Sequence, residues 1–295
     1  MERLLIVGCG DVAQRALPWL TRRYRVYALA RNSATAAHLR AQGAIPVAGD
    51  LDCRKSLHRL AGLAPLVWHF APPQGTGEHD MRTRALVAAL AARGSLPRAL
   101  VYISTSGVYG DCNGAVVPET RPARPATPRA GRRLDAERSL RQLARRGVRV
   151  AILRAPGIYA ADRLPLERLL RGDPVLRRED DVRTNHIHAD DLARLAGAAL
   201  HRARGGRVFN AVDDSALYMA DYFDQVADAC GMARPPRLPK HEAEARLSAL
   251  TLSFMSESRR LDNRRIKSEL RCRLRWPTVA TTLASLNLKD TPCCG

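Results

Sequence analysis

Residues 3–13 read R-L-L-I-V-G-C-G-D-V-A, an apolar run that empties into a glycine-rich turn, and no other stretch restricts the fold as much. Leu4, Leu5, Ile6 and Val7 have the all-apolar character of a parallel strand buried on both faces. Gly8 suits a tight turn. Gly10 lets the backbone approach a pyrophosphate with no Cβ in between, and Ala13 holds the third position, where a small residue allows close helix–strand packing. A helix over about residues 11–22 is predicted to follow. Its first amides, at Asp11 and Val12, and its dipole would face the phosphates of a dinucleotide.

Strand and helix signals then alternate. Strands are expected at 25–30, 44–48, 66–70, 99–104 and 148–153, and helices at 34–42, 79–93 and 131–146. Such alternation with short connections implies parallel strands joined by right-handed crossovers, a doubly wound α/β Rossmann sheet. After Arg154 the pattern loosens: 155–183 is loop-rich, 190–202 reads as a helix and 207–212 as a strand. From Tyr218 onward there are only helical patches, separated by a proline run at 234–239. The expected organisation is a Rossmann domain of 1–154 plus about 186–213. A smaller, mostly helical C-terminal lobe of about 155–185 plus 214–295 would close over the cofactor cleft and hold the substrate.

A chain of 295 residues is long enough for one large or two unequal domains, and its 46% hydrophobic content is ordinary for a soluble protein. It has no apolar run of about 18 residues, so no membrane span is expected. The first strand begins within a few residues of the start of the sequence, so no cleavable signal peptide is expected. The seven cysteines (9, 53, 112, 230, 272, 293 and 294) are odd in number and show neither C-x-x-C nor Cys/His metal spacing. They are expected as reduced thiols in a cytoplasmic protein without a metal.

Of the 48 basic residues four are lysine (Lys55, Lys240, Lys267 and Lys289) and 44 are arginine, and the formal net charge is +19. Arginine together with abundant alanine is what GC-rich coding yields. A polyanion-binding surface would be read from basic residues gathered in one arm or helix, with aromatic side chains for stacking. Here the arginines are spread along the whole chain and aromatics are only 5%, so nucleic acid is not the expected partner.

An NAD-selective site carries Asp or Glu at the end of its second strand, about 20 residues beyond the glycines. That stretch reads Ala28-Leu29-Ala30-Arg31-Asn32-Ser33, without an acid. Arg31 could pair with a 2′-phosphate, so NADP is the expected cofactor, with NAD possible. Asp50 could hydrogen-bond the adenine amine or cap the next helix. Leu51, Ala71, Pro72 and Pro156 join the candidate cofactor contacts.

Three later segments carry the chemistry: Ile103-Ser104-Thr105-Ser106-Gly107-Val108-Tyr109-Gly110, Leu153-Arg154-Ala155-Pro156-Gly157-Ile158-Tyr159, and His186-Ile187-His188-Ala189-Asp190-Asp191-Leu192. With the glycine loop, and in the same order over roughly the first 215 residues, they resemble the extended short-chain dehydrogenase/reductases. These are the superfamily of NAD-dependent epimerase/dehydratases. The chain is also similar to an atypical branch of YeeZ-like proteins, which share the glycine loop, S-T-S-x-V-Y-G-D and an R-P-A-T-x-x-x-G-R-R-like stretch. The resemblance implies a cofactor in the Rossmann half and a nucleotide-sugar or similar substrate in the C-terminal lobe. It also implies a Ser/Thr with a Tyr-x-x-x-Lys pair, in which tyrosine shuttles the proton as hydride moves to or from nicotinamide.

Carried over residue by residue, the hydroxyl falls on Thr105, with Ser104 and Ser106 beside it. Pro128, Leu134 and Glu137 match the P-Y-x-x-x-K-L-x-x-E pattern, but Tyr and Lys become Arg129 and Arg133. Arg133 could keep the positive charge and the ribose contact. Arg129 cannot deliver a proton near neutral pH, because a guanidinium pKa lies above about 12. Either another group is the acid, or the chemistry needs no strong acid, or the protein binds NADP(H) without turning it over. Tyr109 is the nearest replacement by sequence, then His186 or His188. Tyr109 could equally pack at the strand end, and Asp190 could simply cap a helix starting at Asp191.

Two smaller features have paired readings. Cys9, inside the glycine loop, is either a thiol of lowered pKa or a small residue filling the slot. Arg132, Arg133, Arg138, Arg141, Arg145 and Arg146 form either a phosphate-binding face or, with Asp135 and Glu137, a solvated salt-bridge face. The two expected readings of function are an NAD(P)-dependent oxidoreductase or epimerase with Thr105, Tyr109 and Arg133 at its centre, and a non-catalytic NADP(H)-sensing protein. The two helices at 79–93 and 131–146 are those through which family members often dimerise, so a homodimer is possible.

Overall fold

The computed structural model describes residues 1–286. Seven strands form one sheet: β1 (Glu2–Val7), β2 (Tyr24–Ala30), β3 (Ile45–Ala48), β4 (Leu66–His69), β5 (Ala99–Thr105), β6 (Arg149–Ala155) and β7 (Arg207–Asn210). Their order is β7-β6-β5-β4-β1-β2-β3 and every neighbouring pair is parallel. The chain starts in the middle, winds out to β3, then returns to build the other half. Direction reverses between β1 and β4, and the crevice beyond the carboxyl ends of such strands is where open α/β sheets receive ligands.

Alternation along each strand supplies two cores. Leu4 and Ile6 of β1 face a layer made by α1 (Asp11–Gln14), α2 (Leu17–Leu20) and a long helix at Ala189–Arg202. Leu5 and Val7 face the layer of α4 (Met81–Leu90) and α5 (Pro128–Arg145), where Leu86, Leu140 and Leu143 are buried. Between β2 and β3 runs α3 (Ser33–Ala41), whose start is capped by the Asn32 side chain accepting from the Thr35 amide at 2.8 Å. Thr127 caps α5 in the same way, with Pro128 at the first helical position.

The single helix expected over 11–22 is instead two short pieces. Pro18 has no N–H to continue the ladder, so the helix breaks at Arg15–Ala16. The stretch 155–183 is also more ordered than its sequence suggests. Gly157–Tyr159 pairs in parallel with His186–His188, and α6 (Leu166–Leu170) follows. The helix Ala189–Arg202, here α7, is capped by His188 rather than Asp190: its Nδ1 accepts from the Asp190 amide at 3.2 Å.

A further core joins Tyr159, Leu169 and Val175 to α8 (Met219–Ala229) and to Val279 and Leu283. Ile266, Leu270, Cys272 and Leu274, although late in the chain, pack into the core over the sheet. Among the described residues no helix is long and apolar enough to cross a membrane. The five described cysteines are free, and Cys293 and Cys294 lie outside the described residues.

Candidate functional site

At the end of β1 the backbone of Gly8 adopts φ +90°. A Cβ there would stand 2.2 Å from the Ala71 amide nitrogen, so only glycine lets the end of β1 abut the end of β4. The contact is fixed by the Val7 carbonyl, which accepts from the Phe70 and Ala71 amides at 2.8 and 3.0 Å. Gly10 differs: nothing lies within 4 Å of where its Cβ would be. Bare backbone faces open space there, ahead of Asp11 and Val12, while Ala13 is buried against the sheet. This cradle fits a pyrophosphate.

Its Cys9 does not behave as an activated thiol. Burial pushes the pKa up to about 12, so the thiol is held protonated and the lowered-pKa reading is corrected. Burial also works to raise the Asp11 carboxyl, but Arg15 at 2.9 Å and Arg163 at 2.6 Å outweigh it and hold it below the usual range.

Arg31 is exposed at the end of β2, and its charge acts on Asp52, which is bonded by Arg82 at 2.7 Å. Asp50 closes a local turn, its Oδ1 accepting from the Asp52 amide at 3.0 Å. The next helix begins only after Cys53, so the capping alternative for Asp50 fails. Leu51 and Ala71 are buried, and Pro72 and Pro156 line a cavity of about 480 Å³ between the strand ends and α5. Thr105, Arg129, Arg132 and Arg133 line it too.

A second cavity, of about 520 Å³, shares Thr105, Arg129, Pro156 and Ile158 with the first, so the two meet at the end of β5. In its far wall stand His186, Glu257, Arg163, Arg168, Arg183 and Arg259.

Thr105 stands at this junction, its Oγ1 accepting from the Gly107 amide at 3.2 Å. Arg133 is anchored there by Nη1, which donates to the Ile103 carbonyl at 2.7 Å and the Tyr102 hydroxyl at 3.2 Å. Ser106 lines the larger cavity. Ser104 lines the smaller cavity and donates at 2.7 Å to Glu137, which is fully buried against Arg154 with nitrogen–oxygen distances of 3.0 and 2.7 Å. Asp135 also points inward, accepting from the Asp80 amide at 2.9 Å and Arg84 at 2.8 Å. The solvated salt-bridge face read for these two acids is therefore replaced by buried pairing.

Tyr109 lines neither cavity. It is buried, its hydroxyl donates to Asn210 Oδ1 at 2.8 Å and its ring packs 4.6 Å from the Arg154 guanidinium. Burial raises its pKa, with the Arg154 charge opposing. Its hydroxyl is thus engaged with Asn210 rather than presented to either cavity.

His188 is likewise occupied, capping α7 and stacked 5.0 Å from Trp276. His186 does reach the larger cavity, stacked 4.1 Å from Tyr222, but its Nδ1 is buried without a partner. Burial pulls its pKa down to about 3, so the ring is neutral near pH 7.

Three further participants are not among the candidate site residues of the sequence. Glu257 is ion-paired with Arg259 at 2.7 Å in the cavity wall. Arg168 lies 4.5 Å from the Phe223 ring with Nε and Nη2 buried and without hydrogen-bond partners, although Asp173 stands 3.6 Å away. Tyr159 donates to Asp213 at 3.0 Å, and burial pushes that carboxyl up to about 7. Glu257 and Arg168 come from segments without a readable motif, whereas Tyr159 ends the Leu153–Tyr159 segment singled out in the sequence. Among the described residues no group of three or more His, Cys, Asp or Glu could hold a metal ion.

Solved structures similar to this one cover 96% of the chain. One is a functionally unknown conserved protein from Silicibacter pomeroyi, at 27% identity and TM-score 0.80 over 97% of that chain. Another is the UDP-glucose 4-epimerase of Thermotoga maritima with UDP-glucose, at 17% identity and TM-score 0.75 over 97% of that chain. A third is MoeE5 in complex with UDP-glucose and NAD, at 21% identity and TM-score 0.74 over 96% of that chain. At such identities the last two show the fold alone. No curated protein matches the sequence. The model of the NAD dependent epimerase/dehydratase family matches residues 13–211, well over half of the chain. The protein belongs to the NAD dependent epimerase/dehydratase family.

Proposed function

We propose that the protein is an NAD(P)-dependent oxidoreductase or epimerase of the extended short-chain type, acting on a carbonyl, sugar or nucleotide-sugar substrate. The observation that carries this reading is the pair of glycines at the end of β1: Gly8 has no room for a Cβ, and Gly10 opens onto free space. The dinucleotide would lie along Gly8–Ala13, with Asp50, Leu51, Ala71, Pro72 and Pro156 around it. Arg31 would favour NADP by pairing with a 2′-phosphate. When bound, the cofactor supplies or accepts a hydride.

Thr105, where the cavities meet, would orient the substrate oxygen, and Arg133 would keep a positive charge beside the ribose. Arg129 and Arg168 in the larger cavity favour an anionic substrate, and Glu257, ion-paired with Arg259, is the carboxylate that would take part in proton transfer there. UDP-glucose in two of the similar structures makes a nucleotide sugar a reasonable member of that class. The reading retains two lobes, 1–154 plus about 186–213 and about 155–185 plus 214–295, with the sheet-packed residues around 266–274 as the exception. It also retains a homodimer through α4 and α5.

A second reading, non-catalytic NADP(H) sensing, is favoured by Arg129 and Arg133 standing where a Tyr/Lys pair would act. Two assays separate the readings: absorbance at 340 nm for net oxidation or reduction of carbonyl compounds, and chromatography of the product epimer for nucleotide sugars, where the hydride returns to the substrate and the absorbance does not change overall. The enzyme reading expects slow turnover that falls at least tenfold in Thr105→Ala. No turnover, with a clear preference for one redox form of the nucleotide, would leave the sensor.

A further inference from the structure

Charge that is scattered along the sequence is gathered by the fold. Residues 271–275 run along α7 with alternating burial: Cys272 and Leu274 enter the sheet core while Arg271, Arg273 and Arg275 are exposed. The segment is pinned in place. The Asp191 carboxylate accepts from the Arg275 and Trp276 amides at 2.9 and 2.7 Å, and Arg202 donates to the Leu270 carbonyl at 2.7 Å. Arg22 and Arg23, just past α2, line the same groove.

Two adjoining concavities of about 1190 and 1180 Å³ share Arg194, Arg271, Arg273 and Arg275, and share no residue with the cleft cavities. The acids at the groove are engaged: Asp190 by Arg15, Asp191 by Arg194 and Asp214 by Lys267. Arg22, Arg23, Arg271, Arg273 and Arg275 make no ion pair among the described residues.

We propose that this groove binds single-stranded nucleic acid through its phosphate backbone. Alternating burial puts the Arg271, Arg273 and Arg275 side chains together on the exposed side of the segment. An open, arginine-lined groove of this kind suits a chain of regularly spaced anions. Beside it, Tyr24 and His201 stack at 6.1 Å, a platform against which a base can lie. A protein partner would call for an apolar anchor pocket at the centre, whereas Trp19 in this groove is already packed against Gly197 and Trp68.

The test is fluorescence anisotropy of a labelled 20-nucleotide oligouridine with the full chain at several salt concentrations. Arg22→Ala/Arg273→Ala/Arg275→Ala should weaken binding at least tenfold. It should also reduce the slope of log affinity against log salt by about 2, at about 0.7 per lost phosphate contact. Arg138→Ala/Arg145→Ala/Arg146→Ala removes the same charge from α5 and the residue that ends it, and should stay within twofold of wild type. The two variants should keep the wild-type melting temperature. Equal losses in both would mean net charge alone and overturn the proposal, as would absence of binding to the wild type. Displacement by poly-glutamate at lower charge concentration than by unlabelled RNA would assign the groove to an acidic protein segment and overturn it too.

Discussion

Glu137 has no exposed surface, and both its carboxylate oxygens are taken by Arg154. Removing that cation leaves a buried charge with only Ser104 and the more distant Arg141, at 3.5 Å, to compensate it, so the cost approaches the ~3–5 kcal/mol of an unpaired buried charge. Arg154→Met should therefore lower the urea midpoint strongly, and adding Glu137→Gln should restore most of the loss. Additive losses in the double variant would contradict the pairing. At this scale legibility followed locality. Gly8 and Gly10 could be read because the turn makes its demand within a few residues. Tyr109 could not, because the partner that occupies its hydroxyl, Asn210, lies 101 residues away.

At the scale of elements, β4 and the short strand His186–His188 each bury a histidine. Burial, helped at His69 by the Arg133 charge, lowers both His69 and His186 to about 3. The unfolded chain takes up these protons near pH 6.5, whereas the folded chain refuses them until about pH 3. The stabilisation is thus complete above 6.5 and is lost as pH falls, by about 1.4 kcal/mol per unit for each group. The melting temperature should drop between pH 6.5 and 3, and less steeply in His186→Phe. Parallel curves for the two proteins would contradict the assignment. The strands and helices of the Rossmann half were readable from alternation. The two-piece α1–α2 was not read, although Pro18 stood in the sequence. The pairing of Gly157–Tyr159 with His186–His188 joins segments about 30 residues apart, and no local pattern records it.

For the whole molecule, the parallel sheet and its crevice followed from the order of elements, while the contents of the cleft did not. Glu257, Arg168 and Arg259 belong to segments whose sequence carries no periodicity of site residues, and the fold alone places them opposite Thr105. The central claim is that the opening at Gly10 holds a nicotinamide dinucleotide. Gly10 has φ −85° and nothing within 4 Å of a built Cβ, so Gly10→Val should fold as the wild type does. The most direct measurement is calorimetric titration of wild type, Gly10→Val and Arg31→Asp with NADP+, NADPH, NAD+ and NADH. Wild type should bind NADP(H) most tightly. Gly10→Val should bind all four at least tenfold more weakly at an unchanged melting temperature. Arg31→Asp should lose at least tenfold, about 1.4 kcal/mol, for NADP(H) alone. No heat with any of the four nucleotides, or wild-type affinity in Gly10→Val, would contradict the claim.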